Sequence, residues 1–166
     1  MPGKKSKKFL FNVQLNWQEK KRGILYANDV KDSIHVATPK VFNGEGEEWS
    51  PEHLLLGAVS SCYMSTLLFN AARSETDFTH FECEVIGQIE AENGKLRFVM
   101  IDVYPKIFIA DESERERAVE ALEQTSNSCL ISNSINANIL YHPKVTIEKK
   151  ADSALKTNHT GQQDYY

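Results

Sequence analysis

The stretch "SPEHLLLGAVSSCYMSTLL", residues 50–68, decides the fold because it predicts one long helix near the middle of the chain. Ser50 is a good N-cap, and Pro51 occupies the first helical turn, where its missing N–H costs nothing. We expect the helix to run to about Arg73. The core candidates on this helix are Leu55, Val59, Met64 and Leu67. The small residues between them allow another backbone to approach closely, inside the protein or from a second copy of the chain.

Strand patterns come before the helix. Apolar and polar residues alternate from Phe9 to Trp17, which predicts a half-buried strand. Turn-like residues follow at 18–23, and two more short strands are predicted at "ILYA" (24–27) and "SIHVAT" (33–38). These segments together predict an antiparallel meander.

After the helix, the pattern predicts a hairpin, a second helical region and a last strand. Two strand-like runs meet at Asn93-Gly94, which is the strongest short-range hairpin signal. Ser113 and Glu116 have the spacing of a capping box, and "KVTIEKK" (144–150) reads as a final edge strand. Because the long helix needs a sheet to pack on, the sequence predicts an α+β domain.

One domain is predicted over residues 9–150, since 166 residues with 41% hydrophobic content suit a single globular core. The basic cluster within residues 1–8 predicts a disordered N-terminus, and residues 151–166 predict a polar tail. The net charge of −4 argues against a broad nucleic-acid surface. No apolar run reaches the roughly 18 residues of a membrane span. We therefore expect a cytoplasmic protein that binds neither nucleic acid nor a membrane.

Three cysteines, Cys62, Cys83 and Cys129, are an odd number at wide spacing, which argues against a secreted disulfide framework. A buried cysteine is by default a small hydrophobic residue. Cys83 lies between Glu82 and Glu84, whose negative charge disfavours a thiolate, so we expect this cysteine to be inert. The sequence has no nucleotide-binding, zinc-protease or hydrolase motif. Whether Cys62 is reactive stays open on the pattern alone.

The helix sequence, together with "SNSCLISNSI" further along the chain, resembles the OsmC/Ohr family of osmotically inducible and organic hydroperoxide resistance proteins. The shared pattern is a Pro-Glu pair, two leucines, small residues, and Cys62 ten positions after Glu52. Cys129 matches the second cysteine of the family, which the resemblance places at the head of a later helix. The resemblance implies an OsmC-like fold, built as an intertwined homodimer with active sites at the subunit interface.

The resemblance also implies thiol peroxidase chemistry on organic hydroperoxides. Cys62 would be the peroxidatic thiol, and Cys129 the resolving thiol that forms a disulfide with it. A cation has to lower the pKa of the attacking thiol. The family uses an arginine held by a glutamate, which implies Glu52 with Arg22, or Lys21 if the alignment shifts by one residue. An external dithiol, such as a lipoyl-bearing protein, would restore the enzyme, and the family chemistry needs no haem, flavin or metal.

Helix geometry limits how these groups can meet. Glu52 and Cys62 would lie ~15 Å apart along one ideal helix at ~1.5 Å per residue, so a single arginine could not contact both comfortably. Three explanations are open: the helix begins after Pro51, it bends at Gly57, or the two groups belong to different subunits. The last explanation agrees with the interface site that the resemblance implies.

Two other functions and one other substrate stay open. The chain could serve as a stress-associated binding module of the same fold with little peroxidase activity. It could also be a Cys-dependent acyl-transfer enzyme with Cys62 as nucleophile and a histidine base, although the motif contains no identifiable base. Within the peroxidase hypothesis, hydrogen peroxide is a second candidate substrate.

Overall fold

The computed structural model describes residues 7–148 and consists of two compact units, the first ending at Ala58 and the second beginning at Val59. Each unit is described separately below. The prediction of a polar tail at residues 151–166 lies outside the described residues, as does most of the segment predicted to be a disordered N-terminus.

The first unit contains the predicted antiparallel meander. Its strands are β1 (Gln14–Trp17), β2 (Arg22–Tyr26) and β3 (Ile34–Ala37), hydrogen-bonded in that order. β1 is shorter than the alternation predicts. Gln14 is already opposite Tyr26, the last residue of β2, so the earlier residues have no paired strand opposite them. The side chains of β1 are exposed, although the alternation predicts a half-buried strand.

The long helix α1 (Pro51–Ser74) begins where the sequence predicts. The His53 N–H donates to Ser50 Oγ at 3.3 Å, and the Ser50 N–H donates to His53 Nδ1 at 3.2 Å. This reciprocal pair is a capping box in which a histidine replaces the usual Glu or Gln. The helix ends at Ser74, and the next residue, Glu75, has a φ of 51° in the left-handed region.

The buried residues of α1 lie at four-residue steps: Val59, Tyr63, Leu67 and Ala71. Met64 is 42% exposed, so its prediction as a core residue is wrong, because it lies one position off this buried face. By length and composition alone α1 could cross a membrane, and 28% of its most apolar window is buried in the protein. The core helix of a soluble protein satisfies the same criteria.

The second unit has a four-stranded sheet. β4 (His80–Glu92) and β5 (Lys95–Ile109) form the predicted hairpin, and both turn residues, Asn93 and Gly94, have positive φ. The predicted final strand is β7 (Lys144–Ile147), and a short strand that the sequence pattern did not predict, β6 (Asn138–Tyr141), precedes it. Both pair in parallel with β5, one after the other along its length.

The second helical region is α2 (Arg115–Ser128), preceded by a 3-10 turn at Glu112–Glu114. The cap of this turn is Asp111, whose Oδ1 accepts the Ser113 N–H at 2.8 Å. Ser113 therefore lies inside the turn, and the predicted capping box of Ser113 and Glu116 is wrong. The core of this unit is formed by alternate residues of β5 and by one face of α2. These core residues are Ile101, Val103, Ile107, Ile109, Ala118, Ala121 and Leu122.

Candidate active site

The second unit brings Cys62 and Cys129 together, although they lie far apart in the sequence. Cys62 is half-buried on α1, and Cys129 is fully buried at the C-terminal end of α2. Both are free thiols, and the Cys129 thiol lies within hydrogen-bonding reach of the Cys62 sulfur. The two sulfurs are therefore placed where they can react with each other.

The chain after α2 explains how a backbone amide reaches the Cys62 sulfur. Cys129 has extended backbone angles, φ −66° and ψ 114°, so it ends α2, and the expectation that it stands at the head of a helix is wrong. A short 3-10 turn, Ser132–Ser134, follows at once. The Ile131 N–H, which precedes this turn, donates to Cys62 Sγ at 3.4 Å. A backbone donor is thus fixed on the sulfur by the local course of the chain.

The two thiols have opposite acidity. Partial burial by itself would raise the pKa of Cys62, but hydrogen bonds from the Ile131 amide and the Cys129 thiol lower this pKa below its ordinary value. For Cys129, burial dominates and raises the pKa. Cys62 is therefore the better thiolate of the pair, and Cys129 is the thiol that keeps its proton.

Ser132 is a second side chain in contact with the thiol pair. Its hydroxyl donates to Cys129 Sγ at 3.2 Å, and the residue is only 7% exposed. Sequence reasoning missed both Ser132 and the Ile131 amide. The only sequence signal for Ser132 is its position three residues after Cys129, in a segment that contains several serines.

Aromatic rings surround this part of the second unit. Tyr63 is fully buried, and its hydroxyl donates to the Leu122 carbonyl at 2.9 Å. The Tyr63 ring lies 6.2 Å from that of Phe81 and 5.7 Å from that of Tyr141. The Tyr141 hydroxyl is buried and has no well-aligned hydrogen bond among the described residues. Two of these rings, Tyr63 and Tyr141, lie close enough to Cys129 to interact with it electrostatically, so the aromatic cluster borders the buried thiol.

Cys83 also lies on the inner face of β4, where burial rather than the neighbouring charges acts on its thiol. Successive strand residues point to opposite faces, so Glu82 and Glu84 are exposed while Cys83 is half-buried. Burial raises the pKa of Cys83 to about 11. Desolvation therefore disfavours the Cys83 thiolate, whereas the carboxylates of Glu82 and Glu84 point to the other face of the strand.

The first unit contains the predicted activating cation. Arg22, at the start of β2, has its Nε 2.6 Å from Glu45 Oε2, and weaker ion pairs of 3.7 Å join it to Glu47 and Glu48. The Arg22 Nε–H does not point at its carboxylate neighbour, so this contact is an ion pair rather than an aligned hydrogen bond. Lys21, the other candidate, donates to the Asn43 carbonyl at 2.8 Å.

The ion pair of Arg22 with Glu52 that the resemblance implies is absent among the described residues. The loop after β3 folds back through the hydrogen bond from the Gly46 N–H to the Thr38 carbonyl, at 3.3 Å. This fold brings the acidic residues of the loop to Arg22. Glu52 instead keeps one buried carboxylate oxygen, Oε2, that has no hydrogen-bond partner in the described part of the chain.

A groove of about 200 Å³ lies beside Arg22 in the first unit. Apolar side chains supply most of its lining, and Arg22 and Lys21 border it. The apolar lining residues are Leu15, Trp17, Val36, Ala37 and Pro51. The groove could hold an alkyl or aryl group close to a positive charge.

Metal binding has no candidate set in residues 7–148, where no three His, Cys, Asp or Glu side chains are grouped so that they could hold an ion. The chemistry that the described site offers is that of its own thiols. One thiol has a lowered pKa, the other is buried beside it, and the pair can form a disulfide.

The fold matches solved structures that include OsmC-like proteins. An OsmC-like protein from Vibrio cholerae aligns with a TM-score of 0.73 at 16% identity, covering 82% of this chain and 99% of that structure. An organic hydroperoxide resistance protein from Legionella pneumophila aligns at 0.67 and 17%, covering 85% and 99%. A third, from Elizabethkingia anophelis, aligns at 0.66 and 19%, covering 86% and 100%. At these identities the likeness shows the fold.

The chain belongs to the OsmC-like protein family, whose model matches residues 44–144. The curated protein YmaD of Bacillus subtilis is 25% identical over 134 residues, which cover 78% of this chain and 88% of YmaD. Family membership confirms the resemblance noted from the sequence, without specifying the subgroup.

Proposed function

We propose that the protein is a Cys-based hydroperoxide reductase that acts on organic hydroperoxides in defence against oxidative stress. The observation that carries the proposal is the placement of Cys62. Its sulfur accepts the Ile131 N–H at 3.4 Å and has the buried Cys129 thiol beside it. Family membership supports the proposal, since relatives of the same fold are named organic hydroperoxide resistance proteins.

The proposed reaction has two steps inside the protein. The Cys62 thiolate attacks the distal oxygen of the hydroperoxide, the O–O bond breaks, and the alkoxide leaves and takes a proton to become an alcohol. Cys62 is now a sulfenic acid. The Cys129 sulfur attacks the Cys62 sulfur, the S–O bond breaks, and hydroxide leaves with a proton as water. An external dithiol then reduces the disulfide by thiol–disulfide exchange, and a protein-bound lipoyl group is our candidate for it.

Arg22 and Glu52 are proposed to complete the site in the working protein. Arg22 carries the cationic charge that would favour the Cys62 thiolate, and the free buried oxygen of Glu52 is a ready partner for a guanidinium. Since Arg22 is held by acidic residues of the loop after β3, this role requires it to exchange partners. The apolar groove beside Arg22 suits the alkyl part of an organic hydroperoxide better than it suits hydrogen peroxide.

We also propose that the protein works as a homodimer with the active sites at the subunit interface. Each unit exposes large apolar side chains that a second copy could cover. In the first unit these are Phe9, Leu10, Phe11, Val13, Leu15 and Trp17. In the second unit they are Met64, Leu68 and Phe69 on α1.

The test is consumption of cumene or tert-butyl hydroperoxide by the reduced protein with a dithiol. Cys62→Ser is expected to abolish consumption. Cys129→Ser should complete one turnover and then accumulate over-oxidised Cys62, because no thiol is left to resolve the sulfenic acid. Cys83→Ser is the matched control and should keep wild-type activity. Wild-type protein that consumes no hydroperoxide with any dithiol would overturn the proposal and favour a binding module of the same fold.

A further inference from the structure

We propose that Ser132 is a catalytic residue for the resolving step, in which its hydroxyl stabilises the Cys129 sulfur as that sulfur loses its proton. The role of Ser132 in a peroxidase cycle rests on the proposed function. The contact between its hydroxyl and the Cys129 sulfur is independent of that function. The proposal begins from one contact: Ser132 Oγ donates to Cys129 Sγ at 3.2 Å, between two side chains that are 7% and 0% exposed.

The resolving thiol has a chemical difficulty that Ser132 can relieve. Cys129 must attack as a thiolate, yet it is fully buried, and burial disfavours the charged form. A neutral thiol is a weak hydrogen-bond acceptor, whereas a thiolate is a strong one. The Ser132 bond therefore strengthens while the negative charge develops. Such a bond lowers the barrier more than it stabilises the resting state.

The local fold fixes Ser132 in this position. The Asn133 N–H donates to the Cys129 carbonyl at 3.1 Å, which closes the turn between α2 and the 3-10 turn. This turn brings the Ser132 side chain next to the Cys129 sulfur. Ser134, in the same 3-10 turn, is directed elsewhere, because its hydroxyl donates to the Leu130 carbonyl at 2.9 Å. The two serines differ in the one feature that matters, which is contact with a reacting sulfur.

Neighbouring titratable groups do not supply the same stabilisation. The groups that act electrostatically on the Cys129 environment are Cys62 and Tyr63 of α1, Cys83 of β4 and Tyr141 of β6. Each of them is neutral or negative, so none can neutralise a Cys129 thiolate. Among these described neighbours, Ser132 is the group whose hydroxyl donates to the sulfur.

The experiment separates the two thiols with an aromatic disulfide that releases a coloured thiolate. In the first phase Cys62 attacks the reagent, forms a mixed disulfide and releases one coloured thiolate. In the second phase Cys129 attacks the Cys62 sulfur, forms the Cys62–Cys129 disulfide and releases the other. Ser132→Ala should leave the first phase unchanged and slow the second by about 10- to 100-fold, the loss expected for one hydrogen bond to a charged group.

Control variants make the result specific. Ser134→Ala should leave both phases at wild-type rates, and Ser132→Thr, which keeps the hydroxyl, should restore most of the second phase. The pH at which the second phase is half-maximal should rise in Ser132→Ala, because the Cys129 thiolate has lost a donor. A purely structural effect would slow the second phase without moving this pH midpoint. An unchanged second phase, an unmoved midpoint, or a Ser132→Thr variant as slow as Ser132→Ala would each overturn the proposal.

The assay uses no peroxide, so its outcome is independent of the peroxidase proposal. With one equivalent of cumene hydroperoxide, Ser132→Ala should consume the peroxide at the wild-type rate but keep Cys62 as a trappable sulfenic acid about 10- to 100-fold longer. If the disulfide assay shows the Ser132 effect while the wild type consumes no peroxide, the proposed function fails and the role of Ser132 stands.

Discussion

Replacing Ile131 by proline removes one hydrogen bond from the Cys62 sulfur, at a residue whose own φ suits a proline ring. The Ile131 N–H donates to Cys62 Sγ at 3.4 Å, and proline has no N–H. The φ of Ile131 is −66°, which is the value that the proline ring fixes. Ile131→Ala is the matched control, because it removes the side chain and keeps the amide donor.

The size of the effect follows from this geometry. A hydrogen bond to a charged group contributes about 1.5–3 kcal/mol. We use the lower limit, since 3.4 Å is a long contact and Cys62 is only half-buried. About 1.4 kcal/mol is a factor of ten in an equilibrium constant. At a pH below the pKa of Cys62, the thiolate population should therefore fall about tenfold in Ile131→Pro.

The assay is the rate at which iodoacetamide alkylates Cys62, measured across pH by mass spectrometry of the Cys62 peptide. Alkylation near neutral pH should be about tenfold slower in Ile131→Pro than in Ile131→Ala, and the two rates should converge at high pH, where both thiols are ionised. Thermal unfolding of both variants checks that the fold is retained. Equal rates and equal pH midpoints in two folded variants would refute the assignment of the Ile131 amide as the group that lowers the Cys62 pKa.

Two further predictions test the fold and the assembly. The Ser113 hydrogen bonds hold the pKa of Asp111 below its usual range, so Asp111 contributes stability above its unfolded-state pKa and loses it as the pH falls through its folded-state pKa. Asp111→Ala should lower the unfolding midpoint near neutral pH by an amount that shrinks in acid. A gap that stays constant with pH would contradict this role. For the proposed homodimer, sedimentation should give a dimer for the wild type and a monomer for Leu68→Glu, which places a charge on an exposed apolar face of α1. A monomeric wild type at micromolar concentration would contradict the assembly.

The parts of the fold that depend on local chemistry could be predicted from the sequence. Ser50 and Pro51 place the start of α1 because capping involves only nearby residues. Asn93-Gly94 places the hairpin because few other residues adopt positive φ easily. With α1 confirmed to begin at Pro51, one of the three explanations for the spacing of Glu52 and Cys62, a later helix start, is excluded.

Other parts of the fold depend on contacts that no local pattern contains. Tyr63 and Met64 both suit a core, so the sequence does not choose between them. Tyr63 is the buried one because its face of α1 packs on the core of the second unit. The strand β6 was missed because it is defined by its pairing with a distant part of the chain, β5, which also pairs with β7 further along its length. β1 begins only at Gln14 because β2 offers no partner beyond Tyr26.

The candidate site was predictable only in part. Cys62 and Cys129 were singled out by the resemblance, since a pattern of small residues does not distinguish a reactive thiol from a buried one. The Ile131 amide could not be found from residue types, because a backbone N–H belongs to any residue and acts through its direction. Ser132 is one of several serines nearby, and only the turn after α2 selects it.

The proposed peroxidase reaction requires that Cys62 and Cys129 form a disulfide when the protein reacts with a hydroperoxide. The decisive measurement is mass spectrometry of the reduced protein after one equivalent of cumene hydroperoxide, followed by mapping of the peptides. We predict a loss of two hydrogen atoms from the intact mass and a cross-link that joins the Cys62 and Cys129 peptides. An unmodified Cys62, or a disulfide that involves Cys83 instead, would contradict the proposed roles of Cys62 and Cys129.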